Sequence, residues 1–141
     1  MIGDNMKISR RQLRRLIEES IDFSPDLTRM FMDELDSSFF TGGYRYPYLF
    51  FYEEFPDNCM VSIRLTATGK NIVYIDDIVT QGEDCQRNGY GRQFMEVVVA
   101  MADSYSVALE LDVAPTSNTP LDALYSFYQT VGFQQAGVAD H

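Results

Sequence analysis

A chain of 141 residues, 45% hydrophobic and 23% charged, is long enough to bury the core of one globular domain without metal or disulfides. No apolar run approaches the length of a membrane span, and the basic opening lacks the apolar stretch and cleavage site of a secretory signal, so the expectation is a soluble, cytoplasmic protein with no membrane partner. The net charge is -10, and five of the eleven basic residues are Lys7, Arg10, Arg11, Arg14 and Arg15, which leaves a body too acidic for a nucleic-acid footprint but suited to solubility and to cationic amines.

In chain order, Ile8, Leu13, Leu16, Ile17 and Ile21 recur near one face of a 3.6-residue period. Residues 8–20 therefore read as a short amphipathic helix capped by Ser9, its arginine face either solvated or turned to an anionic partner. Ser24-Pro25-Asp26 carries helix-start chemistry, and Leu27, Met30, Phe31, Met32 and Leu35 form the buried stripe of a second helix that Thr41-Gly42-Gly43 ends. The period then changes. YPYLFFYEEF, NCMVSIRLTA and NIVYIDDIVT, separated by Pro56-Asp57-Asn58 and Thr68-Gly69-Lys70, predict an antiparallel meander of three strands between Tyr46 and Thr80. After a loop come a helix over residues 89–105 with Phe94, Val97, Val98, Met101 and Ala102 apolar, a strand from Val107 to Val113, a loop at 114–120, a helix from Leu121 to Val131, and a short strand after Gly132. The order implies an α/β architecture with a mixed sheet and helices packed on it.

Catalysis through a nucleophile–imidazole pair is disfavoured, because the single histidine is the last residue, His141. The same scarcity of His and Cys argues against zinc, so no metal is expected. Cys59 and Cys85 lie in segments with no evident pairing logic and are expected to be reduced thiols.

The segment that carries chemistry is Gln86-Arg87-Asn88-Gly89-Tyr90-Gly91, between a strand and a helix. Glycines at 89 and 91 let backbone N–H groups approach an anion, and the helix that follows directs its positive end at it. Gln86 can donate from its amide, and Arg87 and Arg92 can add charge-assisted bonds to phosphate. This loop resembles that of the GNAT superfamily of acetyl-CoA-dependent N-acetyltransferases, which runs Gln or Arg, two residues, Gly, one residue, Gly or Ala. All the defined positions are matched. Phe127-Tyr128-Gln129-Thr130-Val131-Gly132-Phe133 resembles a second family signature, a tyrosine, three residues and Gly-Phe, and Tyr74-Ile75-Asp76-Asp77-Ile78-Val79 resembles the fourth strand of its amine acetyltransferases.

What the resemblance implies is an acyl-CoA N-acyltransferase fold, a mainly antiparallel central sheet flanked by helices, in residues 24–141, with residues 1–23 a separate basic helical segment. It implies coenzyme A diphosphate bound by Gln86 to Arg92, the thioester beside the backbone of Ile78, Val79 and Thr80, and Asn118 either on the pantetheine arm or capping the next helix. It implies Tyr128 as general acid to the departing thiolate and Asp76 or Asp77 as the group that receives the amine. A carboxylate near pKa 3.9 is a poor acceptor for a proton from an amine near 10.4, so its expected role is to hold the ammonium while water relays the proton. The expected acceptor is a small cationic amine; a protein lysine or N-terminus, or a coenzyme A-binding module without catalysis, are the alternatives. With the first helix in place of the family's first strand and only eight residues after Phe133, the first and last strands are expected to be missing. The exposed edge this leaves invites a homodimer.

Overall fold

Alternation of apolar and polar residues builds the centre of the chain: Leu49 and Phe51, then Val61, Ile63 and Leu65, are buried at every second position, while their neighbours face the other way. In a computed structural model, the residues described are 6–10, 25–113 and 121–135. They form β1 (Met6–Arg10), α1 (Thr28–Ser38), β2 (Phe40–Arg45), β3 (Tyr48–Phe55), β4 (Cys59–Gly69), β5 (Ile72–Gln81), a 3-10 turn (Cys85–Arg87), α2 (Tyr90–Ser104), β6 (Ala108–Val113), α3 (Leu121–Thr130) and β7 (Gln134–Gln135). One seven-stranded sheet has the order β2-β3-β4-β5-β6-β1-β7, antiparallel throughout except for the parallel β5–β6 pair. Phe31, Met32 and Leu35 of α1 and Phe94, Met95, Val98 and Val99 of α2 belong to the core cluster that also holds the inward residues of β3 to β6.

The meander has four strands, not three. Phe40 to Arg45 leave the helix and pair with Tyr48 to Tyr52, so Thr41-Gly42-Gly43 lies within a strand, and α1 ends earlier, at Ser38. The glycines serve a bulge between Thr41 and Gly43, where the Phe50 ring occupies the space that a side chain at Gly42 would fill. At its other end α1 begins at Thr28 rather than at the Ser24-Pro25 signal. The Asp26 carboxylate accepts from the Thr28 N–H at 3.0 Å and from Asn71 N–H at 3.3 Å, and Asn71 Oδ1 accepts from Leu27 N–H at 2.7 Å. The helix start is thereby fastened to the β4–β5 turn, a partner 45 residues away in sequence.

Residues 6–10, expected to open a helix and to stand apart from the domain, are a strand inside its sheet. β1 runs antiparallel between β6 and β7, with Ile8 paired to both Leu111 and Gln135. The place at the far end of the sheet, for which the C-terminus was judged too short, is filled by the chain's own beginning and by β7. The expected loss of the first and last strands is thus corrected, and the homodimer loses the missing strand on which it rested. The rest of the expected first helix, and Asn118, lie outside the described residues.

The cysteines are not free thiols: Cys59 and Cys85 form a disulfide with their Cα atoms 5.6 Å apart. The cause is register. Met60 pairs with Gln81, which brings residue 59 beside the exit of β5, and the turn at 82–85, closed by Cys85 N–H to Gly82 C=O, returns the second sulfur to the first. A side chain at Gly82 would overlap Cys85 Sγ, so this glycine is required twice, by space and by its φ of +118°. The expectation of a cytoplasmic location, so far as it drew on reduced thiols, loses that support. A bond closing a loop of sequence separation 26 restricts the unfolded chain, so reduction is expected to lower the unfolding free energy by about 3 kcal/mol. Denaturant unfolding with and without a dithiol reductant checks this, with the Cys59→Ala/Cys85→Ala variant as a control that must not respond to reductant; equal midpoints for the native chain in both conditions would refute it.

Candidate active site

A bulge in β5 arranges the site. Arg64 pairs with Asp77 but Leu65 pairs with Ile75, which leaves Asp76 as an extra residue on β5. Before it, Val73 and Ile75 face the core; after it, Ile78 packs on the core and Thr80 is half-buried, its hydroxyl 3.2 Å from where a Cβ of Gly91 would lie. Unbroken alternation would have turned Asp77 and Val79 inward. The extra residue puts Asp76 and Asp77 both at the surface, a break in the alternation that the rest of the strand keeps. Asp76 accepts from Thr66 Oγ1 at 2.5 Å, and Asp77 Oδ2 lies 3.8 Å from Arg64 Nε.

The same region opens a cleft. Parallel pairing of β5 with β6 is limited to Ile72–Ala108, Val73–Leu109 and Tyr74–Glu110, so from Ile75 to Gln81 the β5 backbone has no strand partner on that side among the described residues. Where the strands part, the Tyr74 hydroxyl donates to Asp112 Oδ2 at 2.9 Å and ties the two together. The free edge of Ile78, Val79 and Thr80 therefore offers main-chain donors and acceptors to an extended ligand, in the manner of an added strand.

At one end of this edge stands the start of α2. Gly89 is its N-cap at φ +76°, with no side-chain cap, and the first backbone bond of the helix runs from Gln93 N–H to Gly89 C=O at 3.0 Å. The N–H groups of Tyr90, Gly91 and Arg92 are then the orphan donors of a helix end. The space beside Gly89 is open, since a Cβ there would meet nothing within 4 Å. Such a cradle fits a diphosphate. Gln86 and Asn88 are exposed beside it, and the backbone of Arg87 completes the 3-10 turn. Tyr90 has a different task, as its ring stacks on Phe55 at 4.6 Å between centroids and anchors the helix start to β3. Arg92 bonds through Nε to Glu96 Oε2 at 3.2 Å. The nearby Glu83 and Asp84 are exposed to solvent.

At the other end, α3 presents Tyr128, half-buried and edge-on to Phe127 and Phe133 at 5.0 and 5.8 Å. Burial first, and the Asp77 carboxylate second, push its phenol up to about 12. Both causes act against the phenolate, so the hydroxyl keeps its proton across the physiological range. Asp77 is thus near enough to act on the charge of Tyr128, and from Asp77 the Ile78–Thr80 edge of β5 runs on toward the α2 start. Arg64, Thr66 and the Tyr74–Asp112 pair escaped the sequence reading. The first was accessible, because an outward arginine one strand over, in register with Asp77, follows from the meander; the others needed the bulge and the crossover.

No family model and no curated protein matches the chain. Among solved structures it is similar to a protein from Novosphingobium aromaticivorans DSM 12444 described as a candidate acetyltransferase from the GNAT family, with a TM-score of 0.54 and 12% identity over 93% of this chain. The chain spans 59% of that protein's length. At this identity the likeness is one of fold, and the fold expected from the motifs is present.

Two outcomes follow from the geometry. Gly89→Ala forces a side chain into the left-handed region and is expected to cost about 1 kcal/mol of stability, read from denaturant midpoints. Asp77→Asn removes the nearby negative charge while burial remains, so the Tyr128 pKa should fall below that of the parent yet stay above that of a free phenol. Ultraviolet titration of tyrosine ionisation, with Tyr128→Phe to assign the signal, measures this; an unchanged value would separate the two groups electrostatically.

Proposed function

We propose that this chain, which has the fold of the GNAT acetyltransferases, moves an acetyl group from acetyl-CoA to the nitrogen of a primary amine by direct attack. One observation carries the proposal: uncapped amides beside open space at Gly89 and an unpaired β5 edge lead, along one cleft, to Tyr128 and Asp77. When bound, the thioester supplies the activated acetyl group. The amides of Tyr90, Gly91 and Arg92, with Gln86, Arg87 and Asn88, hold the diphosphate. Outward backbone groups of the Ile78–Thr80 edge hold the pantetheine arm, and an N–H among them holds the carbonyl oxygen as it gains charge.

The amine arrives protonated. Asp76 and Asp77 hold the ammonium at the surface end of the cleft, where water takes one proton before attack. A C–N bond then forms, the C–S bond breaks, and the second nitrogen proton leaves as the amide forms. Tyr128 stabilises the departing sulfur. Complete transfer from a phenol at about 12 to a thiolate near 8.5 is uphill by roughly 5 kcal/mol, so Tyr128 acts as a hydrogen-bond donor that keeps its proton, and the thiolate takes the second proton released by the nitrogen. The net products are the acetamide, the thiol and one released proton. The exposed carboxylate pair favours a small amine over a protein acceptor.

Calorimetric titration with acetyl-CoA and a thiol-release assay over small amines and peptides test the proposal. Binding and turnover are expected, and absence of binding at millimolar cofactor would sink it. Tyr128→Phe is expected to lower kcat by about 10²-fold with cofactor affinity unchanged; full activity in that variant would remove the residue from the mechanism.

A further inference from the structure

Beyond the amine nitrogen, the outer face of the sheet carries a pocket that speaks to the rest of the acceptor. A cavity of about 260 Å³ opens among β2 to β5, lined by Gly43, Arg45, Tyr48, Phe50, Arg64 and Asp76. Asp76 is part of its wall, and Arg64, also in the wall, lies 3.8 Å through Nε from Asp77 Oδ2. Its charge is unusual for this molecule. Only six basic residues follow residue 15, and two of them line this one pocket of a chain whose net charge is -10.

The arginines are placed to receive something. The Arg64 guanidinium lies 5.0 Å from the centre of the Phe50 ring, and its Nε faces Asp77. The ring and the carboxylate border the guanidinium on two sides, and its two terminal nitrogens have no acceptor among the described residues. Phe50 is itself held flat across the glycine bulge of β2, where any larger residue at Gly42 would displace it. Arg45 is exposed and makes no ion pair among the described residues. A planar anion is what such forks recognise, because two parallel N–H groups match the two oxygens of a carboxylate. Around them, the Phe50 and Tyr48 rings offer apolar surface, Tyr48 being 61% exposed.

We propose that the acceptor is an α-amino acid with an aromatic or large apolar side chain: its carboxylate on Arg64 and Arg45, its side chain on Phe50 and Tyr48, and its ammonium on Asp76 and Asp77. This inference rests on the acetyl-transfer function above and names its substrate class. The adjacent opposite charges of Arg64 and Asp77 mirror the adjacent opposite charges of the amino-acid head group, whereas a simple cationic amine brings no acceptor for the terminal nitrogens of the arginine. The reaction stays balanced as written above, with the α-nitrogen as the attacking atom.

The test uses the full chain, acetyl-CoA, the common L-amino acids and the amines that correspond to them without the carboxylate, with L-phenylalanine and 2-phenylethylamine as the leading pair. L-Phenylalanine is expected to exceed its amine in kcat/KM by about tenfold or more, the size of one charge-assisted hydrogen bond. Arg64→Gln and Arg45→Gln should each lower the amino-acid-to-amine ratio of kcat/KM by a similar factor, through KM for the amino acid, a split that loss of folding would not produce. Amines acetylated as well as or better than their amino acids, or both variants impairing the two substrates alike, would overturn the inference while leaving acetyl transfer intact. If no substrate turns over, calorimetry separates the two proposals: amino-acid binding that Arg64→Gln abolishes would keep the pocket and remove the transfer reaction, and absence of amino-acid binding would remove the pocket's assignment.

Discussion

The phase of β5 governs this molecule. A strand that must cover a core on one side and carry charge on the other has no freedom in its alternation, since a shift of one residue exchanges every side chain between the faces. In β5 the inward set is Val73 and Ile75 before the bulge and Ile78 and Thr80 after it, and no unbroken alternation satisfies both halves. Asp76 absorbs the mismatch as an unpaired residue. From that single adjustment come the exposure of both aspartates and the approach of Thr80 to Gly91, just past the point where β5 and β6 part. Packing and site geometry are here one constraint.

The ends of the sheet follow a different logic. A mixed sheet whose last crossover strand is left open exposes a row of backbone groups, and the usual remedy is another strand. This chain takes it from the N-terminus. β1 pairs with β6 over Met6–Val113 to Arg10–Leu109 and leaves β7 only two residues of pairing.

Electrostatics in the cleft are modest in number and specific in placement. Tyr128 combines desolvation with one carboxylate to hold its proton. Tyr74 does likewise with burial first and Asp112 second, and its phenol is also raised. Two protonated phenols and three exposed carboxylates therefore surround the opening between β5 and β6, while the arginines lie farther along the outer face. Charge is sorted along the strand, with uncapped amides at the α2 end, carboxylates at the bulge, and guanidinium groups on the outer face beyond.

By itself the sequence determined what is periodic or local. The three apolar runs from Tyr46 to Thr80 became β3, β4 and β5; the helix behind Gly89 and the strand behind it came out within a residue or two, because their apolar spacing allows no other buried face. The Gln86 to Gly91 motif and the Tyr128 signature were legible for the same reason, each being short and adjacent to the element it opens or closes. Tertiary structure alone decided what depends on distant partners. Ile8 obeys a helical spacing, yet pairs with Leu111 because an open strand edge outweighs a weak helical preference. Gly42 and Gly43 look like a helix stop until Phe50 needs their space. Cys59 and Cys85 have no relation in sequence and meet only through the register of β4 on β5. The bulge at Asp76 belongs to this second class, since it arises from the demands of two faces at once, and those demands exist only when the sheet has formed.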